Sequence, residues 1–117
     1  MATGDLTNID VAPAMLTASA ATYYTIPASR QAISIHAIIC NISAAMRTYD
    51  LHLVPTGGSE STTNQIVNGT DPATSLAIGE TVELQINQFL VAGDTIRAVA
   101  SATSSVNIKI SCVLVEV

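Results

Sequence analysis

From Gln31 to Ile42 the chain alternates: Ile33, Ile35, Ala37 and Ile39 fall on one side of an extended segment, and Ser34, His36, Ile38 and Cys40 on the other. A period of two marks a strand with one face buried. The alternation returns from Met46 to Val54, with Tyr49, Leu51 and Leu53 against Thr48, Asp50 and His52. It returns again at the C-terminus, where Val106, Ile108, Ile110, Cys112 and Leu114 oppose Asn107, Lys109 and Ser111. Shorter extended segments are predicted at residues 14–17, 22–26, 65–67, 80–86 and 95–100. Pro27, the run Pro55-Thr56-Gly57-Gly58-Ser59, Asn68-Gly69 and Asp71-Pro72 punctuate them as turns. No segment holds helical apolar spacing beyond a turn. Seven to eight short strands separated by turn signals predict one all-β domain over residues 13–117. Its expected form is a single antiparallel β-sandwich, with immunoglobulin-like and jelly-roll topologies both open. Residues 1–12 have no sustained period and read as a flexible N-terminal arm that orders on a partner.

Composition sharpens this picture. The 117 residues include 14 Thr, 13 Ile and 10 Val, so nearly a third of the chain is β-branched, the type that suits a pleated, half-buried surface. Only 11% of residues are charged while 49% are hydrophobic. An independent monomer normally carries more charge than this, so part of the surface is expected to be hidden against other chains. The net charge is −5, and the four basic residues, Arg30, Arg47, Arg97 and Lys109, form no stripe for phosphates. Nucleic acid is therefore excluded as a partner. No apolar run approaches a membrane span, and no basic n-region leads into an apolar core, so the expectation is synthesis in a cytoplasm with no membrane partner. Asn41-Ile42-Ser43 and Asn68-Gly69-Thr70 match the glycosylation sequon, which has no use without a secretory route.

The residues that usually carry catalysis are not arranged to do so. There is no nucleophile elbow, no His-Glu-x-x-His and no phosphate loop, and the reading is a non-enzyme without cofactors. Strand parity points Cys112 into the core and Cys40 away from it, which predicts two free thiols rather than a disulfide. Ile78-Gly79-Glu80-Thr81-Val82 and Ala92-Gly93-Asp94-Thr95-Ile96 repeat the pattern Gly, acid, Thr, β-branched. Glycine-led turns capped by the acid explain it, with a cation site from Glu80 and Asp94 as the alternative. A sugar platform would rest on Tyr23-Tyr24, of which alternation lets one side chain be presented.

Two candidate sites follow from parity. If residues 31–42 and 46–54 form a hairpin, His36 lies opposite His52 on the outer face with Asp50 two residues away. That arrangement is either a half-exposed imidazole pair that meets water or a zinc-type site of His36, His52 and Asp50. The second candidate is an interface. Val113, Val115 and Val117 oppose the core side of the last strand, which is placed at a sheet edge, and Leu6, Ile9 and Val11 lie in the arm. Burial of both sets against a second copy predicts a homo-oligomer.

Several of these segments carry a resemblance. Tyr24-Thr25-Ile26-Pro27-Ala28, the strand Ile33 to Asn41, Arg47 to Pro55 with Gly57-Gly58, and Ala92-Gly93-Asp94-Thr95-Ile96 resemble small all-β virion proteins of tailed bacteriophages. The resemblance covers residues 22–117. It implies a virion structural protein: a capsid decoration (cement) protein, homotrimeric, bracing the shell against the major capsid protein or other virion proteins. The alternative it leaves is a receptor- or glycan-binding module on a tail or fibre.

Overall fold

The computed structural model describes residues 4–69 and 75–117. Ten strands form in chain order: β1 (Leu6–Asp10), β2 (Ala14–Met15), β3 (Ala21–Thr25), β4 (Arg30–Asn41), β5 (Tyr49–Val54), β6 (Gln65–Val67), β7 (Thr81–Ile86), β8 (Leu90–Val91), β9 (Thr95–Ala100) and β10 (Val106–Glu116). They make two antiparallel sheets. Sheet A runs β1-β10-β4-β7, with β2 extending β1 along β10 and β8 extending β7 along β4; sheet B runs β3-β9-β5-β6. Counting β1 with β2 and β7 with β8 leaves eight strand positions wound as two Greek keys, which is a jelly roll. The two topologies open at the level of sequence are thereby reduced to one.

The core fills the space between the sheets. Ile35, Ala37 and Ile39 of β4 and Val106, Ile108, Ile110, Cys112 and Leu114 of β10 are buried from one side. Tyr49 and Leu51 of β5 and Ile96, Ala98 and Ala100 of β9 meet them from the other. Alternation fails where the ladder is bulged. The register between β10 and β4 slips at Val113/Leu114, which leaves Ile33 as the extra residue and turns Ala32 into the core in its place. A second irregularity, between Thr22 and Tyr24 against β9, lets both Tyr23 and Tyr24 pack on the core. Neither ring is left as a platform.

Three expectations are corrected. Leu6–Asp10 are not an unpaired arm: they form β1, in register with β10 from Leu6 opposite Val115 to Asp10 opposite Ser111. That pairing makes β10 an interior strand rather than an edge. The segments 31–42 and 46–54 are not a hairpin either, since β4 lies in sheet A and β5 crosses to sheet B. Asn41 builds that crossing. Its side chain is fully buried, with Nδ2 2.8 Å from Ala45 O, 3.1 Å from Leu76 O and 3.2 Å from Ala77 O. Its Oδ1 accepts from the Ser43 amide at 2.9 Å and the Ser43 hydroxyl at 2.7 Å. The Asn41-Ile42-Ser43 sequon is thus an Asx turn whose asparagine is out of reach of modification. Asp71-Pro72 lies outside the described residues.

The paired Gly-acid-Thr segments do what turn chemistry predicts. Gly79 (φ 76°) and Gly93 (φ 91°) take the left-handed conformation that L side chains resist. Glu80 Oε1 accepts from Ala77 N at 2.8 Å, and Asp94 Oδ2 from Val91 N at 2.9 Å. The two turns flank β7 and β9 at opposite ends of the sandwich, so Glu80 and Asp94 form no cation site together. Asp94 does more, for its Oδ1 also accepts from Thr56 N and Thr56 Oγ1, each at 3.0 Å, tying the Gly57-Gly58 turn to this one.

Candidate interaction surface

The proposed metal ligands are separated by the fold. His36 stands on the outer face of sheet A, opposite Ser111 of β10 and Gln85 of β7. His52 stands on sheet B, opposite Arg97 of β9 and close to Gln65 of β6. The outer faces of the two sheets point away from each other, so His36 cannot share an ion with His52 and Asp50. Each group has a local role instead. Asp50 Oδ1 accepts from the Gly69 amide, a contact so close that a Cβ on Gly69 would sit 2.9 Å from that oxygen. His52 is buried with Nδ1 2.8 Å from Asn64 Oδ1, and Arg97 pairs with Glu60. The loop from Gly57 to Asn64 thus folds over the part of the outer face of sheet B that carries His52 and Arg97. Among the described residues no group of three or more His, Cys, Asp or Glu is placed to hold a metal.

The outer face of sheet A differs. One row of residues crosses four strands in register, Asp10–Ser111–His36–Gln85, and with Asn8 and Ser34 it lines an open concavity of about 390 Å³. Lys109 pairs with Asp10, and His36 Nε2 lies 3.8 Å from Glu83 Oε2. Ser111, His36 and Glu83 on neighbouring strands make a hydrolase-like trio on paper. Ser111 sits mid-strand on β10, however, where both neighbours β1 and β4 engage the backbone amides, leaving no donor pair for an oxyanion.

The predicted interface residues divide. Val113 and Val115 lie on this outer face, half-buried, with Leu6 (64% exposed) directly opposite Val115 and Val117 (53% exposed) beyond it. Ile9 and Val11 belong elsewhere: both turn inward and pack against the core, because β1 alternates once it is paired. Sequence reading missed Val91 (46% exposed), which pairs with Gln31. It continues the row Leu6–Val115–Gln31–Val91 across the sheet. The strand β8 that carries it is two residues long, too short to show a period.

Both cysteines are free, Cys112 buried and Cys40 half-buried. Burial pushes the Cys112 thiol up to about 11.

No family model and no curated protein matches the sequence. Solved structures do match in three dimensions. A chain from Bacillus endospore appendages, described as disulfide-linked pili, aligns with a TM-score of 0.58 at 13% identity, over 100% of this chain and 95% of that one. The likeness is one of fold. Chains from the Gx strain of infectious bursal disease virus (TM-score 0.53, 11% identity, 94% of this chain) and from the T13 IBDV viral particle (0.55, 7%, 98%) align as well. This chain spans 32% of the length of each of those two.

Proposed function

We propose that this protein is a non-enzymatic structural subunit of a bacteriophage virion, a capsid decoration protein that self-associates and braces the shell. The observation that carries the proposal is the apolar band on the outer face of sheet A, Leu6, Val113, Val115, Val91 and Val117, on a domain with only 11% charged residues. Apolar side chains left exposed on the face of a charge-poor domain are what a subunit keeps for another subunit. Jelly-roll likeness to chains from a pilus and from virus particles supports a building-block role. Trimeric symmetry and docking on the major capsid protein belong to the same proposal.

The polar concavity around His36 favours a second reading, a receptor- or glycan-binding module on a tail or fibre. Copy number separates the two. Counting this chain by quantitative mass spectrometry in purified particles should give hundreds of copies per virion for decoration. A handful would move the assignment to a tail or fibre tip, and absence from the particle would end both readings.

A further inference from the structure

Among the described residues the two sheets end in four edge strands: β1 and β7 on sheet A, β3 and β6 on sheet B. A bare edge offers a row of unpaired amides and carbonyls to another extended chain, and proteins blunt it with short strands, bulges or charge. β6 has three residues, and β3 carries the irregularity between Thr22 and Tyr24. β7 runs for six residues without a bulge or proline, and Glu83 is its one charged residue. Asn41 N donates to Glu80 O at 2.9 Å, so the bonded pairs that follow in this ladder are Val82 with Ile39, Leu84 with Ala37 and Ile86 with Ile35. The amides and carbonyls of Thr81, Glu83 and Gln85 therefore point away from β4, into open space.

The side chains say what strand this edge fits. Val82, Leu84 and Ile86 turn inward, half-buried, and pack against the core. Leu84 and Ile86 line, with Ile66 (42% exposed) and Val67 of β6, an open cleft of about 310 Å³ where the edges of the two sheets part. A fitting strand has an apolar inner row and a polar outer row. A second β7 meets that description in one register. Laid antiparallel about Leu84, it sets Leu84 opposite Leu84 and Val82 opposite Ile86 on the inner side, and Glu83 opposite Gln85 on the outer side, twice over. The outward backbone groups of those two polar pairs then exchange about four hydrogen bonds, and main-chain bonds rather than buried area hold such a contact. Gln85 Nε2 donates to Ser34 Oγ at 3.0 Å and keeps a second N–H for the facing carboxylate. Centring the pair on Glu83 instead would oppose two carboxylates. β1 fits less well: antiparallel to β7 along its length it sets Leu6 opposite Gln85 and Thr7 opposite Leu84, and antiparallel to itself it sets Leu6 opposite Asp10.

We propose that two copies of this chain join edge to edge through β7, antiparallel about Leu84, so that their A sheets become one continuous sheet across a two-fold axis. Val82 of the second copy, opposite Ile86, closes the cleft beside Ile66. The inference rests on the self-association proposed above and names one of its contacts. It is separate from the Leu6–Val115–Val91 band, which crosses β1, β10, β4 and β8.

Cysteine capture in the full chain tests it. In the proposed register Leu84 faces its own counterpart with Cα atoms about 4.5 Å apart, within reach of a disulfide, whereas Thr81 lies roughly 20 Å from its counterpart. Cys40→Ala first removes the half-buried thiol that pairs with Thr81. In that background, with oxidised glutathione, Leu84→Cys should run as a linked dimer on a non-reducing gel and Thr81→Cys as a monomer. Glu83→Pro removes an outward N–H and leaves the ladder to β4 whole, so adding it should abolish the Leu84→Cys link. Gln85→Glu, which sets carboxylate against carboxylate, should weaken the link, and Glu83→Gln added to it should restore it. Circular dichroism checks that each variant folds. An unlinked Leu84→Cys beside a wild type that light scattering shows to be oligomeric, a Thr81→Cys linked as fully as Leu84→Cys, or a link that survives Glu83→Pro overturns the β7 contact while self-association stands. A monomeric wild type overturns both.

Discussion

Replacing Asn41 by alanine should cost more stability than any other single polar substitution in the described residues. The side chain is wholly buried and ties together two loops that each pass between the sheets. Alanine removes two N–H donors that serve three carbonyls, and the acceptor for the Ser43 amide. At about 1 kcal/mol net per hydrogen bond the loss is roughly 3 kcal/mol, with the small void left by the amide adding to it. That is a large share of the 5–15 kcal/mol typical of a domain, and corresponds to a fall of about 10–20 °C in Tm. Urea unfolding should show a lower midpoint at unchanged m-value. Asn41→Asp should be worse still, because it sets a carboxylate against the same three carbonyls. A loss under about 1 kcal/mol for alanine, or an aspartate variant as stable as wild type, would refute the reasoning, since either means the crossover does not depend on this side chain.

Other outcomes follow from local geometry. Gly93→Ala combines a φ of 91° with a Cβ only 2.7 Å from Thr56 Oγ1, whereas Gly57→Ala at φ 77° meets nothing within 4 Å. Chemical denaturation should therefore show a loss of about 1 kcal/mol for Gly57 and at least twice that for Gly93; equal losses would remove the Thr56 contact from the account. The Cys112 thiol, raised from 9.0 to about 11 by burial, stabilises the fold fully below pH 9. That contribution is lost as pH rises from 9 through 11, because the unfolded thiol ionises first. Tyr24 and Tyr49, raised chiefly by burial, act in the same alkaline direction. Melting temperature should fall across that window, less steeply in Cys112→Ala, and at pH 8 a thiol reagent should modify native Cys112 only after unfolding. Deleting residues 2–11 removes β1 and bares an edge of β10, so the truncated chain should melt well below the full one; an unchanged melt would restore the reading of an arm.

The long strands were legible because their buried faces impose a strict period: β4, β5 and β10 stand within three residues of their predicted limits. Parity also placed Cys112 in the core and Cys40 outside it. Parity names a face but not a partner, however. β4 and β5 are consecutive in sequence, and the choice between a hairpin and a crossing rests on Asn41, whose turn-forming pattern with Ser43 was visible but read only as a sequon. The bulges at Ile33 and Tyr23 were hidden because one extra residue reverses every later side chain without a change in composition. β1 escaped because a five-residue edge strand with Leu6, Asn8 and Asp10 outward shows little contrast between its faces.

A cryo-electron microscopy reconstruction of the virion carrying this chain tests the central claim most directly. The account predicts many copies on the outside of the shell, each with the Leu6–Val115–Val91 band of sheet A buried against another copy. Copies confined to a tail or fibre tip, or a band left facing solvent in every copy, would contradict it.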